Sequence, residues 1–372
     1  VDKQYWEWEW QEITSSYVQN CFYSGPRVES AYGEVRAYRP GTGGIVGFVG
    51  SPVYISDCYI ASTKLVVKSS DDCVGGIVGA AYSAIQNCQV PTGTRVEGRA
   101  SVGGIVGKLA AYSSEYDESS IALTGCVSYA EVQGQSDAGG IAGRATAMRI
   151  NDNHAYGTVT ATGSYVGGGF GYLALYSGAE PATNNTAHGN VTSSGGRVGG
   201  LIGAANLSSD NNSEPGYLYR CYATGKVTGN NTVGGLIGYA TTQTSPAVRE
   251  CYATGNVTAT EDQAGGLIGH IMGFSRALHA TIRTSVEDCY ATGDVTGGRY
   301  VGGLIGDAEG SVDITRCHST GKVSGKSEAG GSTGRFRRVI YTAMPEHINH
   351  HPHVTGYVSW NRTDHGGRSH GT

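Results

Sequence analysis

Apolar and polar residues in this chain alternate in short runs rather than in helical stripes. Cys221-Tyr-Ala-Thr224 has the period of two that belongs to a β-strand, with Cys221 and Ala223 assigned to the interior and Tyr222 and Thr224 to solvent. Gly225 interrupts the run and Val227-Thr228 resumes it. The same run returns at Cys251-Tyr-Ala-Thr254 and at Cys289-Tyr-Ala-Thr292. Between runs lies a second block, Val233-Gly-Gly-Leu-Ile-Gly238 in the clearest unit, with an aliphatic pair framed by glycines. Glycine recurs in every unit and no 3.6-residue periodicity is sustained, so helices are not expected. The predicted elements are short strands separated by Gly and Asn turns.

The glycine block Gly-Gly-x-x-Gly occurs ten times, beginning at Gly43, Gly75, Gly103, Gly139, Gly167, Gly199, Gly234, Gly265, Gly302 and Gly330. Repetition at about 30 residues is the mark of a solenoid, propeller or array. Glycine disfavours strands, so three in five residues imply tight corners or close backbone approach. The expected fold is an all-β solenoid, a parallel β-helix of about ten coils, right-handed, with non-repeat ends. Residues 18–334 hold the repeat, residues 1–17 an aromatic cap or interface strand, and residues 335–372 a His-rich non-repeat segment.

The units resemble the GLUG repeat, whose Gly-Leu-x-Gly pattern stands here as Gly200-Leu-Ile-Gly203, Gly235-Leu-Ile-Gly238, Gly266-Leu-Ile-Gly269 and Gly303-Leu-Ile-Gly306. The first three copies read Gly-Ile-Val-Gly instead. The resemblance implies a secreted or cell-surface, adhesin-like bacterial protein. It implies architecture and is silent on activity, because the repeat defines no site.

Composition narrows the function. With 26 Lys and Arg against 31 Asp and Glu, the net charge of −5 provides no footprint for nucleic acid or an anionic membrane. No apolar run is long enough for a transmembrane segment. Eight of the nine cysteines hold one position of the unit, with His154 and Ala187 read as substitutes in two units. A ladder of buried free thiols is therefore preferred to a disulfide framework. Cys73 lies outside that register. Seven Asn-x-Ser/Thr sequons sit in Asn- and Thr-rich turns, where they arise readily by chance.

No catalytic set is found and no cofactor or metal is expected. Gly330-Gly-Ser-Thr-Gly334 matches a nucleophile-elbow string, but it is the tenth structural repeat. The position after the Gly bend reads Lys226, Asn256, Asp294 and Lys322, a solvated surface rather than a row of acids and bases. His347, His350, His351 and His353 are interrupted by Pro352, which argues for a polar cap or subunit contact over a metal site. The binding candidates are an outward stripe of Tyr222, Tyr252 and Tyr290, joined by Tyr23 and Tyr59, for sugars or a neighbouring fibre. Trp6, Trp8 and Trp10, on one face of a strand, are candidates for a subunit interface. The expected function is a non-enzymatic, extracellular structural or adhesive solenoid that assembles with itself through its ends. The alternatives are a monomeric glycan-binding adhesin module or a polysaccharide-degrading β-helix enzyme.

Overall fold

The structure, a computed structural model, describes residues 16–30, 41–50, 53–110, 121–175, 178–207, 216–273 and 284–337. Among them there is no helix, and the strands form five parallel sheets, each ten strands tall. We name the sheets A to E in the order in which each coil visits them. One coil runs Leu218–Tyr219 in sheet A, Tyr222–Ala223 in B, Val227–Gly229 in C, Val233–Gly234 in D and Ile237–Thr242 in E. The fold is thus the all-β solenoid expected from the repeat. Of the ten strands in each sheet the first and last have one neighbour, so the coils enclosed on both sides number eight, slightly fewer than the expected ten.

The sequence repeat translates directly into register. Val191, Val227 and Val257 stack in sheet C, and Ile202, Ile237 and Ile268 in sheet E. The aliphatic pair of each glycine block feeds the core, as with the fully buried Leu236 and Ile237. Every strand N–H and C=O can then pair with the coil above or below while like side chains fill one continuous interior.

The three glycines of the block meet three different obstacles. A Cβ on Gly234 would lie 1.9 Å from the carbonyl oxygen of Ile237, within its own corner. On Gly235 it would lie 2.0 Å from the carbonyl of Gly266 in the following coil, and on Gly238, 2.6 Å from that of Gly203 in the preceding one. The corner between sheets D and E is so sharp, and the coils so close, that no side chain fits at any of the three.

All nine cysteines are free thiols. In the thiol column the backbone N–H of Cys221 donates to Cys251 Sγ at 3.3 Å, that of Cys251 to Cys289 Sγ at 3.5 Å and that of Cys289 to Cys317 Sγ at 3.4 Å. Burial pushes the Cys251 thiol well above its ordinary value, reinforced by hydrogen bonds with Cys221 and Cys289. Such thiols act as small core residues rather than nucleophiles.

The register corrects two assignments. Val127 pairs with His154 and Ala187 with Ala223, so the rungs facing the cysteines are Asn153 and Asn185, not His154 and Ala187. His154 stands in the tyrosine column and Ala187 in the alanine column. Likewise Phe22, not Tyr23, pairs with Tyr59. Tyr23 occupies the inward column beside Ile60 and is partly buried, donating its hydroxyl to Arg27 O at 2.9 Å.

Candidate functional site: the outward ring ladder

Tyr222, Tyr252 and Tyr290 are brought together on the outer face of sheet B, each half-buried. Parallel in-register pairing stacks them at about the 4.8 Å strand separation. Their ring centroids lie 4.6 and 4.8 Å apart, with planes within 5° and 3° of parallel. His318 extends the stack beyond Tyr290 at 5.4 Å. Burial raises the Tyr252 phenol above its ordinary value, and the flanking tyrosines add to the shift.

The ladder is longer than the tyrosine repeat indicates. Tyr129, Tyr156 and His188 stack at 4.6 and 4.7 Å two residues further along the strand. His188 then meets Tyr222 edge to face at 5.5 Å, joining the two columns. A chain of side chains marks this crossover. His154 Nδ1 is 2.8 Å from the Thr186 hydroxyl, which is 3.3 Å from His188 Nε2, and His188 Nδ1 is 3.2 Å from the Thr224 hydroxyl. Seven rings therefore run without a break from Tyr129 to His318. Each stacked pair contributes roughly 0.5–1.5 kcal/mol beyond burial.

This geometry limits what the ladder can bind. Rings in van der Waals contact cover each other's faces, so the stack presents edges and hydroxyls to solvent. A sugar that docks on an aromatic face finds none free at Tyr252. Free faces exist only where the stack stops. Phe22 and Tyr59 stack at 5.5 Å, but Gln89 and Val127 follow in the column, and rings resume only at Tyr129.

A second strip runs where sheets D and E meet and was not legible in the sequence. Arg144 lies 4.1 Å over the Tyr172 ring, Arg197 lies 4.7 Å over Tyr239, and Arg335 lies 3.9 Å over Tyr300. Residues such as Tyr165, Arg197, Gln263 and Tyr300 adopt left-handed backbone angles there, which aims unlike side chains into one line. At its far end Arg335 Nε donates to Asp307 Oδ1 at 2.9 Å, Gln263 Nε2 donates to Asp307 Oδ2 at 2.9 Å, and Arg337 pairs with Glu309 at 2.6 Å. His270 Nε2 lies 4.0 Å from Asp307 and 3.8 Å from Glu309, beyond hydrogen-bonding distance.

Burial holds the His270 imidazole below its ordinary value, against the opposing pull of Asp307 and Glu309 and with the support of Arg335 and Arg337. The folded state thus binds this proton less readily than the unfolded chain does. Its contribution to stability is full above the unfolded His value, about pH 6.5, and declines as pH falls through that value. Replacing His270 by Gln should flatten the acid limb. The measurement is the urea midpoint at pH 7.5 and pH 5.5, and the wild type should lose more than His270→Gln. The opposite order would mean that the carboxylates outweigh burial. His188, also lowered by burial and then by His154, is common to both proteins and cancels.

Trp6, Trp8, Trp10, His347, His350, His351 and His353 lie outside the described residues. Among the described residues no group of three or more His, Cys, Asp or Glu side chains could hold a metal ion, and no helix is long and apolar enough to cross a membrane. No curated protein and no solved structure matches the chain. The family model of the GLUG motif matches residues 229–258 and 262–296, each match spanning about one coil and ending in a sheet C strand. Residues 229–296 therefore carry the GLUG motif, in keeping with a GLUG-repeat protein.

Proposed function

We propose that the chain is a non-enzymatic, extracellular structural and adhesive rod that extends by stacking the last coil of one copy on the first coil of the next. The observation that carries this reading is that, among the described residues, the first and last coils each pair with one neighbouring coil. Val18, Cys21, Val28, Ile45 and Val46 of the first described coil are only partly buried, as are Ile314, Cys317 and Val323 of the last. In the enclosed coils the same columns are fully buried, as at Val227 and Ile237. Each face offers five strand edges, and the two faces are complementary in the sense that any coil is to its successor. His318 and Phe22 share a column, so stacking would also continue the ring ladder.

The non-enzymatic part of the reading is supported by what the polar repeat positions do. The side-chain oxygens of Asn190, Asn256 and Asp294 accept the backbone N–H of Lys226, Asp294 and Lys322 in the next coil, at 2.9, 3.0 and 2.8 Å. These side chains serve to tie successive turns together. Ser332 sits in a strand-to-strand corner, without the strand-to-helix turn of a nucleophile elbow.

Gly331 provides the test. A Cβ there meets nothing within 4 Å, whereas at every equivalent glycine it would lie 2.0–2.2 Å from the carbonyl of the following coil. Gly331→Val should therefore fold normally yet block a copy from seating on the last coil. Light scattering and negative-stain images should reveal multi-copy rods for the wild type and single rods for the variant. Assembly undiminished in Gly331→Val would reject the coil-on-coil joint. Deleting residues 1–12 examines Trp6, Trp8 and Trp10 separately, and unchanged rod length would remove that strand from the joint. A wild type that is monomeric at all concentrations would leave the glycan-binding module as the surviving reading.

A further inference from the structure

We infer that the break in the ring ladder on sheet B is a binding slot for one neutral pyranose ring of a glycan. The inference stands apart from the coil-on-coil joint and concerns the second to fourth coils only.

The slot is defined by an omission. Gln89 pairs with Tyr59 on one side and Val127 on the other, so two successive coils lack a ring in the tyrosine column. Tyr59 on the near side and Tyr129 on the far side are 44% and 40% exposed, among the most exposed aromatics of the rod. Between them lies a cleft of about 300 Å³ lined by Tyr59, Gln89, Pro91, Val127 and Tyr129 over a floor of Ile60 and Val90. Tyr129 stands two residues along the strand from the column of Tyr59, Gln89 and Val127, so it flanks the cleft diagonally rather than facing Tyr59 across it. Phe22 covers one face of Tyr59 and no ring covers the other. A pyranose laid on that face needs one contact of about 3.5–4.0 Å, with Tyr129 closing the far edge of the cleft.

The neighbouring recess supplies the polar half. A space of about 380 Å³ shares Tyr59 and Gln89 with the cleft and adds Asp57, Asn87 and Gly125. Asp57 Oδ1 accepts from Asn87 Nδ2 at 3.1 Å, and its other oxygen accepts from Gln19 Nε2 at 3.3 Å. These hydrogen bonds, Asn87 first, keep the carboxylate below its ordinary range and hence ionised. Gly125 follows Asn87 in this column with φ of +66°, and its missing side chain leaves the far wall open.

Apolar faces beside a carboxylate and amides match a pyranose, which has an apolar C–H face and a rim of hydroxyls. No Lys or Arg lines either space, which disfavours uronates and sulfated sugars. The long stack from Tyr129 to His318 has no comparable gap. The glycan site thus lies where the aromatic repeat fails, not on Tyr222, Tyr252 and Tyr290.

The test uses the full chain and saturation-transfer NMR with cellotetraose, chitotetraose, mannotetraose and lactose, plus trigalacturonate and p-nitrophenol as controls. At least one neutral sugar should receive saturation on its ring C–H protons. Its affinity should fall about fivefold or more in Tyr59→Ala and in Tyr129→Ala. Gln89→Tyr should abolish binding by covering the open face of Tyr59, without lowering the unfolding midpoint, which separates a covered face from a damaged fold. Tyr252→Ala should bind as wild type. The inference is overturned if no neutral sugar binds, if only trigalacturonate or p-nitrophenol binds, if Gln89→Tyr retains affinity, or if Tyr252→Ala loses as much as Tyr59→Ala.

Discussion

Gly235→Ala should destabilise the protein by at least about 3 kcal/mol, while Gly331→Ala, at the same motif position, should change stability by less than about 1 kcal/mol. The added methyl is identical and the two sites differ only in what lies next to them. At Gly235 the new Cβ would sit 2.0 Å from the carbonyl oxygen of Gly266 and 2.9 Å from Ala253 Cβ. The first neighbour is backbone, locked in register with coils on both sides, so neither partner can retreat without breaking sheet hydrogen bonds. Gly331 has nothing within 4 Å of the Cβ position. Neither glycine has a left-handed φ, so conformational strain is equal and small, and reduced freedom of the unfolded chain slightly favours Ala at Gly331. Urea midpoints of the two variants, compared with the wild type, measure the contrast. Equal losses would mean that the glycines serve chain flexibility rather than coil contact. Gly76 and Gly200, whose Cβ atoms would lie 2.1 and 2.0 Å from the next carbonyl, should behave like Gly235.

That pattern explains why the architecture was legible in the sequence. Each coil needs the same three glycines for the same three contacts, so the corner writes itself into the chain at every turn. The column of Tyr222, Tyr252 and Tyr290 was readable for a similar reason, since identical residues at identical offsets stack in parallel register. The rest of the ring ladder was not. Tyr129, Tyr156 and His188 sit two residues along from that column, and only the edge-to-face contact of His188 with Tyr222 makes the two halves continuous. The strip of Arg144, Arg197, Tyr239 and Arg335 was hidden because it joins a left-handed position before sheet D, which holds Arg197, to a sheet E column that holds Arg144, Tyr239 and Arg335, and both positions carry unlike residues from coil to coil. The sugar slot was hidden more deeply, because it consists of a missing ring. Gln89 and Val127 look like ordinary departures from a degenerate repeat until Tyr59 and Tyr129 are seen on either side of them.

The thiol column carries the other large expected effect. Asn153→Leu should destabilise by about 3–5 kcal/mol, because its amide has no substitute in that environment. Asn153 is fully buried and Asn185 nearly so. Asn153 Oδ1 accepts the N–H of Cys126 at 3.2 Å, while its Nδ2 donates to Leu123 O at 2.8 Å and to Asn185 Oδ1 at 2.9 Å. Asn185 Nδ2 in turn donates to Ile150 O at 2.8 Å and approaches Cys221 Sγ at 3.9 Å. The two amides thus bridge a block of four thiols, Cys21 to Cys126, to a second block of four, Cys221 to Cys317. Their alignment could have been read by matching Asn153-His-Ala155 and Asn185-Thr-Ala187 to Cys221-Tyr-Ala223 through the shared alanine. A cysteine fits this column, since its sulfur can take the preceding N–H as Cys251 does for Cys221. Asn153→Cys and Asn185→Cys should each cost about 1–2 kcal/mol by stranding the other amide. The double variant, which extends the thiol column unbroken, should cost no more than either single change. A double-mutant cycle in urea would then return a coupling of about 1–2 kcal/mol in favour of the matched pair. Simple additivity would mean that each asparagine acts alone, and that the column tolerates amide or thiol rung by rung without regard to its neighbour.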